Sequence, residues 1–142
     1  MHWTEQKWFL GDSEAINFAS QLWEAAQVWD DVIDEGHTER ANDVYQWLAF
    51  GVQNDPFFQK HHFWLRPAML QMYLNWRDAN VLEQSGPADA EKAWMLRAGI
   101  WGVFSMIAWI VGGEAHSRKV GPEIWRSYGE SKQDLLREFG HA

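Results

Sequence analysis

The sequence predicts an all-α fold, a single-domain bundle of about five helices over residues 1–142, with a buried apolar central helix at 98–113. Apolar residues recur at helical spacing along most of the chain, and the alternation typical of strands is nearly absent. Clusters of Gly, Pro, Asn, Asp and Ser divide the chain into segments of helical length. A chain of 142 residues is also large enough to bury one hydrophobic core.

The breaks predict helices at about 13–35, 39–53, 57–84, 87–112 and 122–139. Asp12 or Ser13 can cap the first helix, and Gly36 can end it. Pro122 suits the first turn of the fifth helix. Pro67 lies inside the third helix, where the missing backbone N–H is expected to kink or split it.

The fourth helix contains the run AGIWGVFSMIAWIVGG, which has no charged residue and is closed by Arg97 and Glu114. A membrane span needs about 20 such residues, so we expect the buried central helix of a soluble bundle. The alternative is a short membrane anchor. Small residues in the run would let neighbouring helices approach closely: Gly99, Gly102, Ser105 and Ala108.

Composition limits the partners. The formal net charge is −8, from 20 acidic and 12 basic side chains, and the basic ones are scattered. Direct binding to nucleic acid is therefore disfavoured, whereas a basic protein or a cation is favoured. The chain has no cysteine, and its N-terminus lacks the pattern of a secretory signal, so we expect a cytoplasmic protein. The 11 tryptophans indicate a core of large rings or a contact surface.

The first helix carries an acidic stripe. In WEAAQVWDDVIDEG, at about 100° per residue, Asp30, Asp31 and Asp34 point to one side. The opposite arc is apolar and is expected to face the core: Phe18, Ala19, Leu22, Ala25, Ala26, Trp29, Val32 and Ile33. The simplest interpretation is that the aspartates form a solvated helix face.

A metal site is the second interpretation of the stripe. Asp30, Asp31 and Asp34 repel one another, no Lys or Arg lies within one turn, and they sit near the unfavourable end of the helix dipole. Mg²⁺ or Mn²⁺ held by their oxygens would offset these costs. Candidates for completing the site are Glu83, Glu114 and His116. The alternatives are a frayed helix end at Glu83 and a solvated turn for the other two.

Several motifs carry resemblances. DDVID resembles the DDxxD pattern of class I isoprenoid synthases, which implies Mg²⁺ held against a diphosphate, although a second Asp-rich motif is absent from the sequence. The acids at helical spacing are similar to those of all-α nucleotide pyrophosphohydrolases, without their glutamate-rich first motif. Four segments resemble a group of uncharacterised small tailed-phage and prophage proteins with a WDDxxD motif: VWDDVID, DPFFQKHH, NWRDANVLE and VGGEAHSRK. That resemblance spans most of the chain and implies a phage setting, hence the host cytoplasm.

Two functions of different classes follow. The favoured one is a small acidic phage-type accessory protein that binds a host or phage protein, with exposed tryptophans as anchors; a homo-oligomer is a further option. The alternative is a Mg²⁺- or Mn²⁺-dependent hydrolase of a phosphate or diphosphate substrate, with metal on Asp30, Asp31 and Asp34 and the phosphate on Arg97 or Arg118. The sequence contains no Gly-rich phosphate loop, GxSxG or HExxH motif.

Overall fold

The computed structural model describes residues 7–142, and these residues form α-helices and turns without a β-strand, as predicted. The helices are α1 Ser13–Glu35, α2 Ala41–Gln46, α3 Pro56–Leu82, α4 Pro87–Leu96, α5 Gly99–Arg126 and α6 Lys132–Glu138. The chain divides into two compact units, one up to Phe63 and one from Trp64 to Ala142. The single domain inferred from chain length stays a prediction.

Both ends of α1 lie where the sequence predicts them. Asp12 caps the helix, because its Oδ1 accepts a hydrogen bond from the backbone N–H of Ala15 at 3.0 Å. Gly36 ends it with a φ of 69°, and the next N–H, of His37, bonds back to the carbonyl of Asp31 at 3.2 Å. Both caps are therefore formed by residues adjacent to the helix in sequence.

The core of the first unit is built around Phe18 of α1. Its ring centroid lies 6.2 Å from that of Trp47, 5.8 Å from that of Phe57 and 6.3 Å from that of Phe58. Trp47 belongs to a π-helical turn, Trp47–Gly51, that follows α2 and precedes a 3₁₀ turn at Val52–Asn54. The predicted second helix is thus three short helical pieces, folded back along the N-terminal half of α1.

The apolar arc of α1 is only partly buried, which corrects the prediction. Its first half is buried at Phe18, Ala19 and Leu22, but Trp29 and Ile33 are exposed. Arg40, the residue before α2, bonds to Glu24 with Nη2 to Oε1 at 2.8 Å, and α2 then runs back towards Phe18. The last three turns of α1 therefore extend beyond α2.

α3 is interrupted at His61, with φ −126° and ψ 18°, rather than at Pro67. Pro67 lies inside the helical part and is exposed. The helix thus continues through Pro67, although this residue has no backbone N–H to donate.

The predicted fourth helix begins at Pro87, as expected, but divides into α4 and α5. At the start of α5, a Cβ on Gly99 would lie 3.1 Å from Cα of Met72. The absence of a side chain at Gly99 therefore lets α5 approach the backbone of α3 closely. The buried apolar helix is confirmed in the following turns, where Trp101, Phe104 and Ile107 are buried.

α5 folds back on itself at Gly113, which has φ 77° and ψ −172°. A Cβ on Gly102 would lie 4.0 Å from Cζ2 of Trp125, whereas a straight helix would hold these residues about 34 Å apart. The stretches 99–112 and 114–126 therefore form a helical hairpin. Pro122, predicted to start a helix, lies inside the second stretch because that helix already begins after Gly113.

The hairpin bears on the membrane alternative. By length and composition, Pro87–Arg126 contains a segment apolar enough to cross a membrane, and 39 % of that segment is buried. The uninterrupted stretch 99–112 is about 21 Å long, against a hydrocarbon core of about 30 Å. The geometry therefore favours a role in the protein core.

Candidate functional site

The last turns of α1 form an amphipathic surface, here named the α1 tip (residues 29–35). Trp29 and Ile33 are 40 % and 47 % exposed, and their i, i+4 spacing places them side by side. Asp31 and Asp34 are exposed and Asp30 is half-buried. An apolar stripe therefore runs beside an acidic one on a helix end that extends past α2.

The electrostatics of the α1 tip are negative. The last turn of α1 carries no basic residue, and the helix dipole adds partial negative charge at this end. An ion pair joins Glu35 Oε2 and Nδ1 of His37 at 3.2 Å when the imidazole is protonated. The α1 tip therefore suits a partner that offers positive charge together with an apolar surface.

The aspartates do not come together as a metal site in the part of the chain that the structure describes. Within residues 7–142, no three His, Asp or Glu side chains are grouped so that they could hold a metal ion. Asp30 and Asp31 are neighbours, so their side chains diverge by about 100° around the helix. Binding of Mg²⁺ or Mn²⁺ by Asp30, Asp31 and Asp34 stays a prediction.

The other predicted ligands lie in the second unit, and each has a different environment. Glu114 is exposed and contacts Arg118, with Oε1 to Nε at 2.8 Å. His116 lies over Gly112, where a Cβ would overlap the imidazole ring. Glu83 is buried at the end of α3, which corrects the expectation of a frayed helix end. These three side chains are held separately.

Glu83 belongs to an ionic cluster that the sequence did not reveal. Nη1 of Arg97 lies 3.4 Å from Glu83 Oε2, 3.5 Å from Glu130 Oε1 and 3.6 Å from Glu138 Oε2. The guanidinium is thus engaged by three carboxylates, which argues against its predicted use as a phosphate-binding cation. Nε2 of His141 lies 2.8 Å from the carbonyl oxygen of Glu83, so the cluster also fastens the C-terminal residues.

Aromatic side chains complete the cluster. Nε1 of Trp94 donates to the carbonyl of Glu130 at 2.7 Å. The Tyr128 hydroxyl has two acceptors for its proton, the carbonyl of Trp94 at 2.7 Å and Oε2 of Glu130 at 2.8 Å. Burial, followed by this hydrogen bond to Glu130, raises the pKa of Tyr128. The arrangement joins α4 to the segment before α6 and is structural.

Comparison with protein-family models, with curated proteins and with solved structures gave no match. The exposed chemistry of the described residues is therefore the basis on which a function can be inferred.

Proposed function

We propose that this protein acts by binding another protein and that the α1 tip is its docking element. The observation that carries the proposal is the exposure of Trp29 and Ile33, at 40 % and 47 %, beside exposed carboxylates. Complete burial of a large apolar side chain contributes about 1.5–3 kcal/mol. Because Trp29 and Ile33 are only partly buried, part of this free energy could still be gained by binding a partner. Exposed apolar surface of this kind is typical of binding sites.

The chemistry of the α1 tip supports a partner with an apolar groove and a basic rim. A helix with apolar anchors at i and i+4 fits an apolar groove in another protein, and Trp is among the residues that contribute most to binding. Asp31 and Asp34 would meet lysine or arginine side chains at the rim of that groove. Such rim charges mainly raise the association rate and the specificity.

The biological setting that we propose is that of a phage or prophage accessory protein acting in the host cytoplasm. This part rests on the resemblance of four sequence segments to small tailed-phage proteins. A small acidic protein that occupies a basic surface of a host or phage protein would fit that setting.

The test starts with capture from a lysate of the bacterium that carries the phage or prophage, followed by titration of the purified partner. The Trp29→Ala/Ile33→Ala variant should bind at least about 30-fold more weakly, because two anchors are lost. Asp31→Asn/Asp34→Asn should slow association and reduce its dependence on salt.

Tyr45→Ala/Phe50→Ala is the matched control, because these rings are also exposed in the first unit, at 67 % and 59 %, but lie outside the α1 tip. It should bind like the unmodified protein. Equal affinity of the Trp29→Ala/Ile33→Ala variant for the purified partner would refute the proposal.

A further inference from the structure

The first unit has a second exposed surface, on the outside of the π-helical turn that follows α2. It is here named the π-turn face: Tyr45, Gln46, Leu48, Ala49 and Phe50. All five residues are exposed, and the exposed fractions of Tyr45, Leu48 and Phe50 are 67 %, 49 % and 59 %.

The π-helical turn brings the two rings of this face together. The backbone N–H of Val52 bonds to the carbonyl of Trp47, five residues earlier. In a regular α-helix, side chains five residues apart diverge by about 140° around the axis. Here the ring centroids of Tyr45 and Phe50, which are also five residues apart, lie 6.4 Å from each other, with the rings edge to face at 77°. The wider turn therefore joins two rings into one apolar patch.

The inner side of the turn is fixed in the core of the first unit. Trp47 is buried, its Nε1 donates to Oε1 of Gln21 at 2.7 Å, and its ring lies beside that of Phe18. A surface held in this way needs little further ordering when it binds. Turns of this kind are rare and frequently occur at functional sites.

The π-turn face is self-complementary in its chemistry. Residues 44–54 include no charged side chain, although the first unit as a whole carries more acidic than basic residues. A two-fold interface places the same surface on both copies, so charges in it would repel, whereas apolar groups match themselves. The amide of Gln46 has both a donor and an acceptor, so it can pair reciprocally with the same amide of a second copy.

The area of the π-turn face corresponds to that of a weak dimer. With about 200 Å² for each fully exposed large side chain, Tyr45, Leu48 and Phe50 expose roughly 350 Å². Apolar patches of this size on a monomer are often functional. Two such patches with their amide rims would bury roughly 1,000 Å², which is the lower limit of a specific interface.

We propose that two copies of this chain form a weak dimer by packing their π-turn faces about a two-fold axis. Tyr45 and Phe50 would be covered by the second copy, and Leu48, between them in sequence, would meet its counterpart near the axis. A charged partner is less suited, because the face offers no charge to pair with it. Anionic membranes attract clusters of basic residues, which this face lacks.

The dimer goes beyond the α1 tip and does not depend on it. If the α1 tip binds a partner as proposed, the dimer would hold two such partners. The two surfaces should respond oppositely to salt. Salt weakens the charged contacts of the α1 tip, whereas it screens the repulsion between two acidic copies and should strengthen the dimer.

The test is sedimentation equilibrium of the full chain from about 1 to 500 µM, a range that spans the Kd expected of a small interface. The average mass should rise from 16.6 kDa towards twice that value, with a Kd on the order of 100 µM. Added salt should lower this Kd.

Variants then assign the surface. Tyr45→Ala/Phe50→Ala should raise the Kd of the dimer at least tenfold, because most of the apolar patch is lost. Leu70→Ala/Tyr73→Ala is the matched control, because it removes a leucine and a ring that are 57 % and 53 % exposed in the second unit. It should dimerise like the unmodified protein.

A pair of charged variants tests the two-fold arrangement. Leu48→Glu and Leu48→Lys should each be monomeric, because like charges would meet near the axis. An equimolar mixture of the two should form a dimer again, since opposite charges then face each other. This rescue requires contact between two copies of the chain.

Several results would overturn the proposal. These are a monomer at every concentration, an unchanged dimer in Tyr45→Ala/Phe50→Ala, or a mixture of the charged variants that stays monomeric. A dimer that Trp29→Ala/Ile33→Ala abolishes would assign self-association to the α1 tip instead. A monomer that binds phosphatidylcholine vesicles, and loses this binding in Tyr45→Ala/Phe50→Ala, would assign the face to a membrane. Failure of the dimer would leave binding of a partner at the α1 tip unchanged.

Discussion

At Gly113 the backbone takes φ 77° and ψ −172°, a conformation that side chains with a Cβ strongly disfavour. The residue joins the two stretches of α5, so this local conformation brings Trp125 back to Gly102. Gly121 offers a contrast on the same helix, because its backbone is helical and, apart from its chain neighbours and the backbone of its own helix, no atom lies within 4 Å of an added Cβ.

Replacing Gly113 by Ala should lower the free energy of unfolding by about 1–3 kcal/mol, since the strain of this backbone region falls in that range. Gly121→Ala should change it by less than about 1 kcal/mol, because the better helix propensity of Ala is offset by the contact of its Cβ with the ring of Pro122. Urea denaturation of both variants measures the difference. Similar values for the two would show that the turn at Gly113 adapts to a side chain.

Tyr128 makes the stability of the folded protein depend on pH. The folded protein holds the phenolic proton more tightly than the unfolded chain, because burial and the bond to Glu130 raise its pKa above the usual value of about 10. The stability contributed by this proton is full below about pH 10 and is lost as the pH rises further, because only the unfolded chain then releases it.

Tyr128→Phe should therefore cost about 1 kcal/mol at neutral pH, through the lost hydrogen bond. Its stability should also fall less steeply than that of the unmodified protein above about pH 10. Urea denaturation at a series of pH values measures both effects. Tyr45→Phe, at an exposed ring, is the control and should keep the steep fall; an unchanged slope in Tyr128→Phe would refute the assignment.

Among the helices, α1 is the one whose limits were predicted in full, because Asp12 and Gly36 act locally on the backbone. The neighbours of α1 were not predictable from its periodicity. The apolar arc is continuous from Phe18 to Ile33, but α2 packs along its first half, and the rest forms the α1 tip. Helical spacing identifies an apolar stripe without identifying what covers it.

Asp31→Asn/Asp34→Asn should raise the free energy of unfolding by about 0.5 kcal/mol at low salt, because it removes negative charge from the negative end of the helix dipole. The gain should fade as salt is added. Glu14→Gln is the opposite control: Glu14 lies in the first turn and contacts Lys60 Nζ at 2.7 Å, so its loss should be unfavourable.

The unmodified protein and the Asp31→Asn/Asp34→Asn variant also test the predicted metal site. Calorimetric titration of Mg²⁺ and Mn²⁺ into the unmodified protein should show no saturable binding if the aspartates form a solvated face. Saturable binding that Asp31→Asn/Asp34→Asn loses, together with a loss of stability, would instead establish a metal site at the α1 tip and justify a screen of phosphate substrates.

At the scale of the whole molecule, the longest apolar segment forms one arm of a helical hairpin. Its composition left a core helix and a short membrane anchor open, and the division at Gly113 favours the core. Each unit also leaves large apolar side chains exposed, among them Trp29 in the first and Leu70 in the second. The cytoplasmic location stays a prediction.

The sequence by itself determined the helical class, the caps of α1, the start of α4 at Pro87 and the apolar helix after Ala98. These features follow from the propensities of single residues and from periodicity within one segment. The Arg97 cluster could not be predicted from the sequence, because Glu83, Glu130 and Glu138 are distant in sequence and meet only after α3, α4 and α6 have packed. The tertiary structure also decided which parts of the apolar arcs are covered, since burial depends on which segments become neighbours. The candidate surfaces were therefore predictable as acidic or apolar patterns, but their exposure was not.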